Sequence, residues 1–553
     1  MTSLHIRISL IVLIFFAVFS FAAVEPWSAL VLQTAVFLLF TVYLFCGKTI
    51  EVSQLNKALL LFFAAVIVFG LIQCLTEQTV LDGHVKRPIS LSVLYTTTEL
   101  IFYLLYLCAA LLCAFAFNSY RKIKILLLSF AVCGTMVVIT ANIFPSGEYL
   151  ALFRHLNSAA GSFGPFVNRN HAGAFIGFCF FCALALFAAR HFEYYKSAEK
   201  NFLYKQLTLS VVCALLVYGV IFTRSRGAML FLAASLAVSA AVFIALFIKN
   251  KRKKIIFFAA WFFISASIAS VAVLNVDAIN KFSFRSSGTS EKIRIEIYKN
   301  SLNMLKEYPV FGVGAGAFSA GLGAYGKNME NVERVHNDWL EFVVGTGVAG
   351  AVFALFFVFT ALFIFVKRLV KIESSQKRAA FLGLGAALFY MASASFVDFH
   401  FHIPASAFAF FIIFGALSSE TFGFNYSQIR INAVVKILIA SGFVLCLVFT
   451  ARQSAAWYNF FMGASLSLDK KIEYYEKGLP YYKSSANGVK LAVAYYDAFL
   501  VEKDLAKKEE YAAKADALFV WHLQRYPADA NMLRIKYQMR SARAKFEKSM
   551  QKI

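Results

Sequence analysis

The chain is broken up by apolar blocks of about 18–25 residues that carry almost no charge. Coiled at 1.5 Å per residue, a stretch of that length crosses a hydrocarbon core of about 30 Å with its backbone polar groups bonded internally. Thirteen candidate spans, of 15 to 29 residues, lie at residues 6–24, 28–46, 58–75, 96–117, 125–143, 171–189, 207–222, 227–248, 255–275, 338–366, 379–396, 403–417 and 433–451. They are apolar on every face rather than alternating, which argues against a β-barrel. Hydrophobic residues make up 60% of the 553 and Phe alone numbers 62, which excludes a soluble enzyme, a disordered chain and a disulfide-stapled secreted protein. The fold class expected is an all-α polytopic membrane protein of about 12–13 transmembrane helices. A large loop over 276–337 and a helical C-terminal tail complete it.

Cysteine and charge follow from that class. Cys108, Cys113, Cys133, Cys179, Cys182, Cys213 and Cys446 lie inside apolar blocks and Cys46 and Cys74 at block ends, so they read as free thiols. Arg7 precedes an apolar stretch as it does in a signal peptide, but the second block follows almost at once, so a two-span hairpin is expected. With the N-terminus in the cytoplasm, loops 47–57, 118–124, 190–206, 249–254, 367–378 and 418–432 hold 20 Lys and Arg against 5 acidic residues. The short opposite loops hold only 6 Lys and Arg. This bias sets the orientation, and it accounts for the net charge of +24 without nucleic acid. Residues 1–451 then form the membrane domain of a multi-pass inner-membrane protein, and 452–553 lie outside the cytoplasm. That tail has 18 Lys and Arg, 11 Asp and Glu, and no membrane-length apolar run. Ala492, Tyr495, Tyr496 and Phe499, then Tyr511, Ala512, Ala515 and Leu518, recur at helical spacing. Tetratricopeptide-like hairpins and a plain helical domain both fit.

Polar groups are costly at a membrane boundary, so their placement points to function. Phe166-Val-Asn-Arg-Asn-His171 opens the sixth block; Asn168 or Asn170 suits a helix cap, while Arg169 and His171 add donors that a cap does not need. Thr223-Arg-Ser-Arg-Gly227 joins two blocks with no real loop. Arg224 and Arg226 there fit either snorkelling to lipid phosphates or a bidentate clamp on a phosphate or pyrophosphate. In the long loop a helix is expected over Glu291–Lys306, carrying Arg294, followed by Pro309 and the run Gly312-Val-Gly-Ala-Gly316. No strand precedes that run, so a dinucleotide site is rejected and a flexible loop on the membrane surface is expected. His336-Asn-Asp-Trp-Leu-Glu341 opens the tenth block. Asn337 or Asp338 caps the helix and Trp339 suits the interfacial belt. His336 is placed to act as a general base, with Glu341 to orient it or to serve as a structural contact. Asp398-Phe-His400-Phe-His402 is a minor cluster with no ligand set that argues for a metal.

Taken in order over roughly 160–405, these motifs, with Pro309-Val-Phe-Gly-Val-Gly-Ala-Gly-Ala-Phe318, Gly347 and Gly350, resemble the O-antigen ligase/polymerase superfamily. The resemblance implies a GT-C type glycosyltransferase that needs no cofactor or metal. It implies a donor glycan on undecaprenyl pyrophosphate and, as acceptor, lipid A core, a growing polysaccharide or a protein side chain. It also implies that Arg224 or Arg226 and Arg294 bind the pyrophosphate and that His336 activates the acceptor hydroxyl. Arg169, Asn170, His171, Asn337, Asp398 and His400 are secondary candidates. Thr346 departs from the acidic residue that many members carry before Gly-x-x-Gly. The tail lies outside the minimal pattern and is free to hold a protein or glycan partner. Ligase, polymerase and protein O-oligosaccharyltransferase all stay open, with ligase or polymerase preferred. A lipid-linked glycan transporter or flippase is the rival class. It calls for charged groups at mid-membrane and internal repeats, whereas the polar residues here gather at one face.

Overall fold

The computed structural model describes residues 3–47, 49–76, 88–144, 148, 161–197, 201–282, 287–322, 325, 332–482, 484–525 and 535–544. Parts of the 76–95, 144–170 and 276–337 loops, and the tail's last residues 545–553, lie outside them.

Each of the thirteen apolar blocks falls on a helix. In chain order these are α1 (Ser3–Phe19), α2 (Pro26–Cys46), α3 (Gln54–Cys74), α4 (Val93–Ala116), α5 (Tyr120–Ile143), α6 (Arg169–Ser197), α7 (Phe202–Phe222), α8 (Arg226–Phe247) and α9 (Lys251–Phe282). There follow α10 (Ser287–Glu307), the short α11 (Phe318–Leu322), α12 (Asp338–Lys371), α13 (Ser375–Ala394), α14 (Pro404–Leu417) and α15 (Ala433–Ala464). Among the described residues nine helices are long and apolar enough to cross a membrane, and α1 and α14 are shorter apolar helices. Polar residues mark where they start. Ser53, Ser92, Ser225, Asn337, Ser374 and Asn432 each accept a bond from a backbone N–H in the first turn of the helix that follows.

Burial sorts the helices into an inner and an outer set. The apolar window of α6 is 83% buried and that of α4 72%, whereas those of α12 and α15 are 6% and 11% buried. Helix α12 turns Val352, Phe356, Phe359 and Phe363 outward, a surface that water would penalise and a lipid core accommodates. The protein is a multi-pass membrane protein. At the core, α13 packs on α6 and α8, and α4 packs on α14.

Two features were absent from the sequence reading. A two-stranded antiparallel ribbon pairs β1 (Thr49–Ser53) with β2 (Tyr426–Arg430), joining the loops before α3 and α15. Also, α15 runs unbroken through the expected domain boundary at 451/452. Beyond it, α16 (Leu468–Gly478), α17 (Ser485–Val501) and α18 (Leu505–Arg525) pack on one another around Tyr475, Leu491, Tyr495, Phe499 and Phe519. The tail is tied back to the bundle where Gln453 donates to Thr98 Oγ1 of α4 at 2.7 Å.

The glycine run over 312–316 is not a flexible surface loop. Val313 and Ala317 are fully buried, and the run lies along a break in α12. Val313 N donates to Val344 O, Gly314 N to Gly345 O and Val348 N to Pro309 O, at 2.8–3.0 Å. Gln73 completes the dock: its amide nitrogen donates to Phe311 O and Gly345 O, and its oxygen accepts from Ala315 N. Gly347, at φ 65°, makes the break. A Cβ there would meet the Val310 carbonyl at 2.4 Å, so no other residue fits without moving backbone.

Candidate active site

Four segments remote in sequence meet at one end of the bundle. They are the start of α6, the turn between α7 and α8, helix α10, and the paired segments 332–338 and 395–403 that flank α12 and α13.

At the start of α6, Asn168 acts as the local cap, its oxygen accepting from Asn170 N at 2.8 Å. That leaves the Asn170 side chain to donate to Asp398 Oδ2 at 2.9 Å. The α7–α8 turn is fastened by Thr223, whose hydroxyl donates to Val220 O and accepts from Ser225 N. Within it Arg224 adopts φ 54°, a left-handed conformation costing a non-glycine residue roughly 1–2 kcal/mol. His336 is held the same way, at φ 59°, and Tyr298 of α10 donates to its carbonyl at 2.9 Å. Two strained residues in one site are what a chain keeps when side-chain placement outweighs backbone comfort.

The four segments enclose a cavity of about 340 Å³ lined by Arg169, Arg224, Arg226, Arg294, Asp398 and His400, among others. Among the described residues that line it, four guanidiniums gather around the Asp398 carboxylate, an arrangement suited to a multiply anionic group. The sequence-derived arginines are therefore brought together, and Arg169 joins them.

Asp398 is the hub. Its Oδ1 lies 3.0 Å from His336 Nδ1, and its Oδ2 takes Asn170 and, at 3.5 Å, Arg294. Burial pushes its carboxyl up, but the bond with His336 and the imidazoles of His171 and His400 beside it more than offset this and hold it well below the usual carboxylate range. With Nδ1 bonded to Asp398, His336 keeps Nε2 for other partners, and its side chain is 29% exposed. Phe399 separates His336 from His171, its ring 4.9 Å from the first and 4.5 Å from the second. His171 and His400 meet Nδ1 to Nδ1 at 3.0 Å, so one donates and the other accepts. Burial drives His400 down despite nearby Asp398 and Asp338, which suits the neutral form that contact requires.

Of the two roles expected for Glu341, its contacts fit the structural one. Its oxygens take Arg334 at 2.9 Å and the Val335 N–H at 2.9 Å, and it does not bond His336. The carboxylate that does is Asp398, ranked only secondary by sequence. Asn337 caps α12, and Trp339 donates to Ala392 O and stacks on Phe396. Thr346 donates to Phe342 O within its own helix. The described residues contain no group of three or more His, Cys, Asp and Glu arranged to hold a metal. Sequence reading missed Arg334, Tyr298, Gln73 and the role of His402. The one signal for His402 was the alternation of acid and histidine in Asp398-x-His400-x-His402, which faces the spacing His336-x-Asp338.

Among curated proteins the chain has no match. Residues 211–355, which hold Arg224, Arg226, Arg294, His336 and Glu341, match the family model described as O-antigen ligase. The match covers about a quarter of the chain and supports its likeness to the O-antigen ligase superfamily.

Proposed function

We propose that this protein is a membrane glycosyltransferase that moves a glycan from undecaprenyl pyrophosphate to an acceptor hydroxyl at the outer face of the plasma membrane. The arginine-lined cavity takes the pyrophosphate. His336 Nε2 accepts the proton of the acceptor hydroxyl as that oxygen attacks the anomeric carbon. The bond from that carbon to pyrophosphate breaks, and the lipid pyrophosphate leaves with the electron pair. One displacement inverts the anomeric centre. Arg169, Arg224, Arg226 and Arg294 stabilise the charge that grows on the leaving group. Asp398 holds the His336 ring and stabilises the imidazolium that forms. No step calls on a metal or cofactor. The acceptor is lipid A core, a growing glycan or a protein.

The observation that carries this reading is the sharing of one carboxylate. Asp398 contacts the candidate base through one oxygen and the candidate clamp, Arg294, through the other. Base and clamp are thereby tied to one side chain. The test is His336→Ala in purified protein reconstituted into lipid, supplied with a lipid-linked glycan and acceptor. Transfer should vanish while donor binding persists, because the arginines hold the donor. A transporter would tolerate the change, and transfer within a few-fold of wild type removes His336 from the mechanism.

A further inference from the structure

Behind the candidate site lies a second set of ionised groups that the proposed chemistry does not use. His402 Nδ1 lies 2.6 Å from Asp338 Oδ1, and its Nε2 lies 3.4 Å from Glu341 and 3.8 Å from Glu99 of α4. Arg334 closes the set against Glu341. The His402 side chain is 10% exposed and that of Asp338 4%.

The spacing of these groups gives them a purpose. His336 and Asp338 stand two apart in one segment, and Asp398 and His402 four apart in the other. His336 pairs with Asp398, and Asp338 pairs with His402, so each segment gives one histidine and one aspartate to the other. The second oxygen of Asp338 accepts from Phe401 N at 2.8 Å, while Asp338 N donates to Ser395 O and Asp398 O. The loop that carries Asp398 is thus tied on both sides of that residue to the segment that carries His336.

We propose that His402 is a positioning residue, whose ion pairs with Asp338 and Glu341 hold Asp398 in register with His336. This rests on the transferase reading above. Three carboxylates, Glu99, Asp338 and Glu341, face His402 and Arg334 in a buried space, so losing the His402 charge leaves two carboxylates short of a partner. Burial and Arg334 press the imidazole down. Glu341, Glu99 and the bond to Asp338 more than offset them and raise it from its ordinary 6.5 to about 9. A raised folded value means that the stabilisation is full below about 6.5 and is lost as pH rises through about 9.

The test uses the full chain in lipid, with transfer measured from pH 6 to 10 at saturating donor, and with melting followed in parallel. Wild type should lose kcat and melting temperature together as pH passes about 9, before the bundle unfolds. His402→Gln should lower kcat at pH 7.5 by about 10²-fold, as expected for a slightly misplaced catalytic pair. Its donor KM should stay within about two-fold, and it should lack the alkaline step in both readouts. Asp338→Asn should reproduce the same split. A wild-type profile flat between pH 8 and 10 overturns the proposal even if no variant folds. So does a His402→Gln enzyme with wild-type kcat, or one whose defect lies in donor KM. Absence of transfer by wild type in every arm, with the melting step intact, sinks the transferase reading instead and supports the His402 pairing.

Discussion

Asp398 lies 3.0 Å from the Nδ1 of His336 although they stand 62 positions apart in the chain, and the whole of α12 and α13 lies between. Its other oxygen meets Arg294. In a hydrocarbon-embedded bundle, a carboxylate so buried is kept ionised by what it touches, and here it touches the proposed base and the proposed clamp at once.

Asp398→Asn tests that relationship directly. The amide keeps the shape and loses the charge. If it turns its NH₂ toward His336, it forces the ring into the tautomer that cannot accept a proton at Nε2. The expected loss in kcat is on the order of 10²–10⁴, with donor binding nearly unchanged. A variant with wild-type kcat at normal protein levels removes Asp398 from the chemistry.

The arginines make a separate prediction. Arg224→Lys, Arg226→Lys and Arg294→Lys each keep a positive charge and lose the planar fork that grips a phosphate with two bonds. Each should cost on the order of 10²–10³ in transfer rate. Steady-state transfer at matched expression decides it, and full activity in all three leaves the clamp without support.

Gly347 should be intolerant for reasons of stability. Gly347→Ala adds a side chain at φ 65° and drives a Cβ into the Val310 carbonyl. Strain and overlap together should cost upwards of about 2 kcal/mol. Gly442, in the middle of α15 with open space at its Cβ, is the control: Gly442→Ala should change melting by less than a degree or two, or raise it slightly. Equal melting of the two variants would contradict the docking of 309–317 on α12.

Orientation is tested by a reporter. Because basic residues follow one set of loops by 20 to 6, a cytoplasm-active enzyme fused after Lys490 should stay silent, and one active only outside should report. Cytoplasmic activity at that point means that the number of crossings is even.

The sequence alone determined the class and the apolar helices. Apolarity over a membrane-length stretch is a local property, so every block that it marked is a helix, from Ile6 to Thr450. Local chemistry also narrowed the cap of α12 to Asn337 or Asp338, and located the helix that carries Arg294 and the arginine pair between α7 and α8. The tertiary structure decided which of these groups share a site. Glu341 sits one turn and a half from His336 along the chain, and that nearness made it the natural partner. Yet α12 turns Glu341 inward to Arg334 and His402, and the partner of His336 arrives from beyond α13. Sequence periodicity cannot report such a contact, because it depends on how two loops at the same end of a bundle are brought together by helices packed elsewhere. The glycine run followed the same rule. Read locally, it promised freedom; docked on the broken helix at Gly345 and Gly347, its missing side chains serve close backbone approach.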